Sequence, residues 1–214
     1  MSEEKKAGQF ILSQLGMFNE AVVLFGATIE PALLDGIDEC VESFTEDNDW
    51  VGGDKLASDN SIWMAPKAWV TNPEEDEPEC KAWFESDCID DNDDYWSACF
   101  CGVATQGGRA GFMFSIDPGC FGGKTTWNAS AKRISQDLIS QLASLGFQNR
   151  EKGKFFLPIT LDNQQLAQSW VDDGEFTKDD DSFIPLRAAL EKLKQAVPVF
   201  DQIMQACTDA SPAN

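Results

Sequence analysis

The sequence predicts an α+β fold, with a mostly antiparallel sheet in the middle of the chain and N-terminal and C-terminal helices packed on it. Three observations lead there. Apolar residues recur at helical spacing over residues 9–44. The middle of the chain breaks into short aromatic and β-branched runs separated by acidic or glycine loops. Helical spacing returns at residue 128 and, apart from one strand, holds to the end. No internal repeat or long linker interrupts the 214 residues, so one domain over 1–214 is expected, although 1–45 is helical enough to make a small unit of its own.

Each element has its own signal. Residues 9–25 carry Phe, Ile, Leu, Met and Val at loose helical spacing. A second helix over 30–44 places Leu33, Leu34, Ile37, Val41 and Phe44 on one face, with Pro31 at its start and Glu30 set to meet the helix dipole. Strands are expected at 61–70, 80–85, 96–104 and 110–116. The last two, joined by "TQGGR", read as a hairpin. A helix over 128–145 aligns Ile134, Leu138, Leu142 and Leu145 and stops at Gly146. Then come a strand at 155–161, a short helix at 163–172 and a last helix opening at "SFIPLRAALEKL" with Ser182 as N-cap. Pro198 should kink or divide that helix near Val197.

Composition removes several function classes. There is no histidine, so Ser-His-Asp and Cys-His mechanisms are excluded, and any catalysis would rest on carboxylates, Lys or Cys. The seven cysteines, at 40, 80, 88, 99, 101, 120 and 207, form no C-x-x-C pair. Their odd number and the lack of a visible secretion signal point to free thiols. Cys99 and Cys101, two apart on an expected strand, share one face. A zinc site from Cys80, Cys88, Cys99 and Cys101 fits no common spacing. The start "MSEEKK" has no net positive charge, and the longest apolar run, "AVVLFGA", is too short to span a bilayer. A soluble, cytoplasmic protein is expected.

Charge is the dominant anomaly. The chain carries −21, and residues 1–100 account for −19 of it, with 24 acids against five lysines. Residues 101–214 are nearly neutral, with 13 acids against 11 bases. Within 101–160 the balance is positive: Arg109, Lys124, Lys132, Arg133, Arg150, Lys152 and Lys154 face only Asp117, Asp137 and Glu151. The acids are bunched at 42–50, 72–79, 85–94 and 171–181. Bunched like charges repel in the compact state, so fold stability alone does not account for them. An EF-hand is excluded. Asp90, Asn92 and Asp94 fit its first ligands, but Tyr95 replaces the glycine and Cys101 the twelfth-position Glu. No metal or cofactor is expected; a looser divalent-ion site is the minor alternative.

"DPGCFGGKTTW" (117–127) ends like a phosphate loop at Gly123, Lys124 and Thr125. Pro118 takes the place of the first glycine, and the helix is expected near Asn128, beyond the lysine, so we read a glycine turn.

Five of the seven tryptophans fall between 50 and 96. Trp50 and Trp96, beside acid runs, are the expected exposed anchors, because Trp is enriched at binding hot spots. The leading expectation is therefore a non-enzymatic acidic binder. It presents Glu74, Glu75, Asp76, Glu77, Glu79, Asp90, Asp91, Asp93 and Asp94, with Trp50 and Trp96, to a basic protein surface. In one form it mimics nucleic acid, as phage and plasmid inhibitors of defence complexes do as a class. Direct nucleic-acid or membrane binding is not expected. Two alternatives stay open. One is a carboxylate and divalent-metal enzyme acting on nucleotides or nucleic acid, with Asp117, Lys124 and Asp162 converging. The other is a structural module of a larger assembly. A homo-oligomer is compatible with all three.

Overall fold

A computed structural model describes residues 2–75, 77–90 and 95–209. Six strands form one antiparallel sheet: β1 (Trp50–Gly53), β2 (Trp63–Pro66), β3 (Ala82–Ile89), β4 (Arg109–Ile116), β5 (Gln148–Asn149) and β6 (Phe155–Pro158). Their spatial order is β1-β2-β3-β4-β6-β5. Helices come before, within and after it. They are α1 (Glu3–Ser13), α2 (Leu15–Leu24), α3 (Glu30–Asp47), α4 (Leu56–Asp59), α5 (Trp96–Phe100), α6 (Lys124–Ala131), α7 (Gln136–Ser144), α8 (Asn163–Asp173) and α9 (Ile184–Asp209). The α+β class and the helical ends are as the sequence predicts.

The register decides which side of the sheet is core. Met64 pairs with Phe84, Phe84 with Phe114 and Phe114 with Phe155. Directly opposed residues share a face, and all four are almost fully buried. Against this row lies Phe200 of α9. Its ring stacks on Phe114 at 4.0 Å and meets Phe84, Phe147 and Phe155 at 5.4–5.7 Å. Such aromatic groups each bury roughly 150–250 Å² and dominate core energetics. The predicted α3 face, Leu33 to Phe44, is buried as expected, and α3 packs on β1 and α9.

Several boundaries differ from the expectation. Residues 96–100 form the short helix α5, so the partner of β4 is β3, along its full length. The expected strand at 61–70 shortens to β2, and a tight helical turn, Lys67–Trp69, follows it. The expected helix 128–145 is two helices. The first starts at Lys124, and the second is capped by Ser135, whose Oγ accepts from Leu138 N–H. Asp180, not Ser182, caps the turn leading into α9: its carboxylate accepts from Ser182 N–H at 2.9 Å. Helix α9 runs through Pro198 without dividing. Pro158 is tolerated in β6 because β5 pairs only with Phe155 and Phe156.

Cys88 and Cys99 are joined in a disulfide, which corrects the expectation of seven free thiols. Cys88 lies on the core side of β3, opposite Ala110, and α5 brings Cys99 to it. Cys40, Cys80, Cys101, Cys120 and Cys207 are free. Burial pushes the Cys40 thiol up to about 11.

The N-terminal helices stand apart from this packing. Neither α1 nor α2 has a buried residue, and a π-helical turn, Phe25–Ile29, joins α2 to α3. By length and composition the helical run Leu15–Asp47 can cross a membrane, with a mean hydropathy of 1.3 over its best window. That run is longer than the apolar stretch visible in the sequence, but its second half is the core helix α3.

Candidate functional site: an acidic sheet face walled by tryptophans

The side of the sheet away from the aromatic core carries a different set of residues. Trp63 pairs with Glu85, Glu85 with Met113, Met113 with Phe156, and Phe156 with Gln148. Two residues along from Glu85, Trp83 pairs with Ser115, and two residues the other way Asp87 pairs with Gly111. Strand alternation explains the segregation: Phe84, Ser86 and Cys88 point toward the helices, while Trp83, Glu85 and Asp87 point outward. All three outward residues are half-buried.

Glu85 organises this face. One carboxylate oxygen accepts from Ser115 Oγ at 2.6 Å and the other from Trp83 Nε1 at 3.0 Å. Trp63 is positioned by a glycine, since a Cβ on Gly53 would come within 2.9 Å of Trp63 Nε1. Between the two indoles lies a cleft of about 310 Å³, lined also by Asp54, Ser61, Pro78 and Ser86. Asp54 and Trp63 form the ridge to a second cleft of about 460 Å³, lined by Asp38, Glu42, Lys55 and Asp59. Asp38 is nearly buried and accepts from Leu56 N–H and Ala57 N–H at 2.9 and 3.1 Å. Desolvation raises its carboxyl above the usual range, against those two hydrogen bonds. Asp87 is raised in the same way, with Lys154 and Arg150 pulling the other way. The face is therefore polarised: acidic over β1 to β3, with Arg150 and Lys154 beyond β4. Arg150 sits over the Phe156 ring at 5.9 Å.

The predicted carboxylates flank this face. Glu74, Glu75, Glu77 and Glu79 are exposed on the loop that precedes β3, and Pro78 of that loop lines the tryptophan cleft. Asn72 braces the loop, donating to Glu75 Oε2 and Glu77 O at 3.2 and 2.9 Å. Asp90 is exposed at the far end of β3, with φ of 60°. Asp76, Asp91, Asp93 and Asp94 lie outside the described residues. The two acid runs are thus not adjacent. The eight residues of β3 hold them roughly 23 Å apart or more at about 3.3 Å per residue, and Glu85 and Asp87 lie between.

The tryptophans chosen from sequence are placed differently. Trp50 is half-buried against Phe44 and Phe84, at 5.2 and 5.9 Å. Trp96 is half-buried, donates to Asn60 Oδ1 at 2.6 Å and packs on Phe100. The tryptophans on the open face are Trp63 and Trp83. For Trp83 the signal is present in "WFESDCI", which alternates outward and inward residues; the expected strand at 80–85 holds Trp83 and Glu85 but stops short of Asp87.

The residues of the enzyme alternative do not converge. Asp117 follows the end of β4 and Asp162 lies past the end of β6, and the two strands run antiparallel, so the carboxylates sit at opposite ends of the sheet. Each caps its own turn. Asp117 accepts from Gly119 N–H at 2.8 Å, and Asp162 from Gln164 and Gln165 N–H at 2.8 and 3.2 Å. Helix α6 does begin at Lys124, nearer to a phosphate loop than the sequence suggests. Gly122 and Gly123, at φ 75° and 90°, serve the backbone reversal that leads into it. No group of three or more Cys, Asp or Glu among the described residues is arranged to hold a metal ion.

Comparison with protein-family models, with curated proteins and with solved structures gives no match.

Proposed function

We propose that this chain is a non-enzymatic acidic binding protein whose half-exposed sheet face over β2 and β3 receives a basic segment of a partner protein. The tryptophan cleft takes an Arg or Lys side chain, and the exposed carboxylates at both ends of β3 hold the flanking cations. One observation carries this reading: the carboxylates around the Trp63–Trp83 cleft are not neutralised by the chain's own cations. Among the described residues there are two ion pairs, Lys55–Glu42 at 3.6 Å and Lys67–Asp49 at 3.1 Å, and both are exposed. Carboxylates beside indole rings, here Asp54 and Glu85 with Trp63 and Trp83, suit a guanidinium, which hydrogen-bonds through its fork and stacks through its plane. In the narrower form of the proposal, the face fits the groove of a DNA- or RNA-binding complex and excludes nucleic acid from it.

The test uses a nona-arginine peptide as probe. Calorimetric titration should show binding that weakens at least about tenfold between roughly 50 and 300 mM salt, because screening shortens from above to below about 10 Å. No binding at low salt, or an affinity indifferent to salt, would sink the proposal.

A further inference from the structure

The N-terminal arm concentrates the exposed apolar surface of the molecule. Among the described residues twelve large apolar side chains are exposed, and eight of them fall between Phe10 and Leu24. Three more, Tyr95, Val103 and Val171, line one groove at the root of the arm, and only Ile184 lies elsewhere. A patch of this kind marks a contact with protein or with membrane. The width of the apolar arc on α2 distinguishes the two. At roughly 100° per residue, Leu24, Met17, Phe18, Val22 and Leu15 cover about half of the circumference, and Gly16, Asn19 and Glu20 share the other half with Val23. A stripe that packs on a neighbouring element needs a width of only about 100°. An arc of half the circumference matches a helix lying at a boundary between water and hydrocarbon.

Two contacts bring further apolar surface to the same side. Phe18, near the middle of the arc, meets the Phe10 ring edge-on at 5.9 Å, so the end of α1 folds onto the arc across the break at Gln14. Phe25, the residue after α2, continues the arc and forms one wall of the groove with Ile29 and Leu33. The groove measures about 500 Å³, is almost wholly apolar, and has Trp170 and Val171 in its opposite wall. The Phe25 ring packs edge-on against Tyr95 at 5.1 Å, which fixes the root of the arm beside the groove.

We propose that the arm lies in the surface of an electrically neutral lipid leaflet, with the apolar arc of α2 among the acyl chains, Gly16, Asn19 and Glu20 toward the headgroups, and the groove opening on the same layer. Charge sets the class of lipid. Between Ala7 and Ile29 the one charged residue is Glu20, so the arm lacks the Lys and Arg that draw helices to anionic headgroups. The chain as a whole carries −21, which such headgroups repel. Length sets the depth. Helix α2 and the π-helical turn after it have 10 and 5 residues, about 22 Å at roughly 1.5 Å per residue, short of the roughly 30 Å hydrocarbon core. Helix α3 beyond them is packed in the protein core. The arm therefore enters one leaflet and does not cross. The length of the longest unbroken apolar run, "AVVLFGA", bears on crossing a bilayer and not on lying in its surface.

The test is flotation of the full chain with phosphatidylcholine vesicles. The wild type should float with them, and less of it should float when phosphatidylglycerol is mixed in. Met17→Glu and Val22→Glu, about 140° apart on α2 at roughly 100° per residue, should each lower the partition into vesicles at least about tenfold. Neither side chain is buried, so each variant should melt with the wild type. Phosphatidylcholine brominated on its acyl chains should quench tryptophan fluorescence, and Trp170→Phe should remove most of that quenching. A chain that stays unbound by neutral vesicles overturns the proposal, and a dimer seen for it by light scattering would assign the arm to a second copy. Tolerance of either Glu substitution shows a contact narrower than half the helix and overturns it too, as does stronger flotation with phosphatidylglycerol. Quenching unchanged by Trp170→Phe overturns the placement of the groove in the lipid layer.

Discussion

Replacing Glu85 separates its structural role from its binding role. Its carboxylate accepts from Ser115 Oγ and Trp83 Nε1. Hydrogen bonds to a charged acceptor contribute about 1.5–3 kcal/mol each, and neutral ones about 0.5–1.5. In Glu85→Ala both acceptors go. Water can reach the half-exposed Trp83 indole, but Ser115 is only 6% exposed and loses its partner. The net cost should be about 2 kcal/mol, and for a chain of this length that lowers Tm by about 4–8 °C. Glu85→Gln keeps the shape. Its amide oxygen accepts from Trp83 and its amide nitrogen donates to Ser115 Oγ, so the cost should stay near 1 kcal/mol or below. Binding should respond differently. Both variants lose one carboxylate partner for an arginine, about 1–2 kcal/mol after allowance for a half-exposed site, or roughly 5- to 30-fold in Kd. Calorimetric melting and titration with nona-arginine give the two numbers. If Glu85→Gln binds like the wild type while Glu85→Ala melts early, the residue only holds the sheet face together and the binding reasoning fails.

Gly111→Ala should be among the most damaging small changes. Its Cβ would lie 2.2 Å from Leu157 O in the neighbouring strand, so β4 and β6 must separate, at about 2 kcal/mol or more; a Tm within 2 °C of wild type would contradict the register. Reducing Cys88–Cys99, which closes a separation of 11 residues, should cost about 2.5–3 kcal/mol by chain entropy and lower Tm in dithiothreitol. Such bonds are rare in reducing cytosol, so free thiols counted by mass in protein taken directly from its source test both the bond and the cytoplasmic expectation. Desolvation raises the Asp38 carboxyl in the folded state, so its linked stabilisation is full below the unfolded value near 3.8 and is lost as pH rises through the raised one. Wild type should therefore gain stability relative to Asp38→Asn on acidification from pH 7 toward pH 4; a relative gain in the other direction refutes the assignment.

Long-period signals were legible in the sequence and short ones were not. The buried face of α3, the strand β4 and the late helices follow from apolar spacing over eight or more residues. The run "WSACFC" gives too few residues to separate a strand from a helix turn by periodicity, and its tertiary setting decided for a helix. Asp180 took the cap from Ser182 because Ser169 Oγ, 11 residues away, also donates to it at 2.8 Å, a contact that only the fold creates. The acid run of β3 misled for a physical reason. Charge suggests a solvated loop, yet a strand with one open face can carry Glu85 and Asp87 outward while Phe84 and Cys88 point inward. The tryptophan wall was missed with it, because Trp63 and Trp83 meet only through the β2–β3 register.

The indole signals of the seven tryptophans offer the most direct check on where a cation sits. In a ¹H–¹⁵N spectrum titrated with nona-arginine, the Nε1–H resonances of Trp63 and Trp83 should shift together and saturate with the calorimetric Kd. Those of Trp69 and Trp127, buried and bonded to Asp201 and to Lys152 O, should stay in place. Shifts confined to Trp96, or spread evenly over every indole, would contradict the assignment of this face.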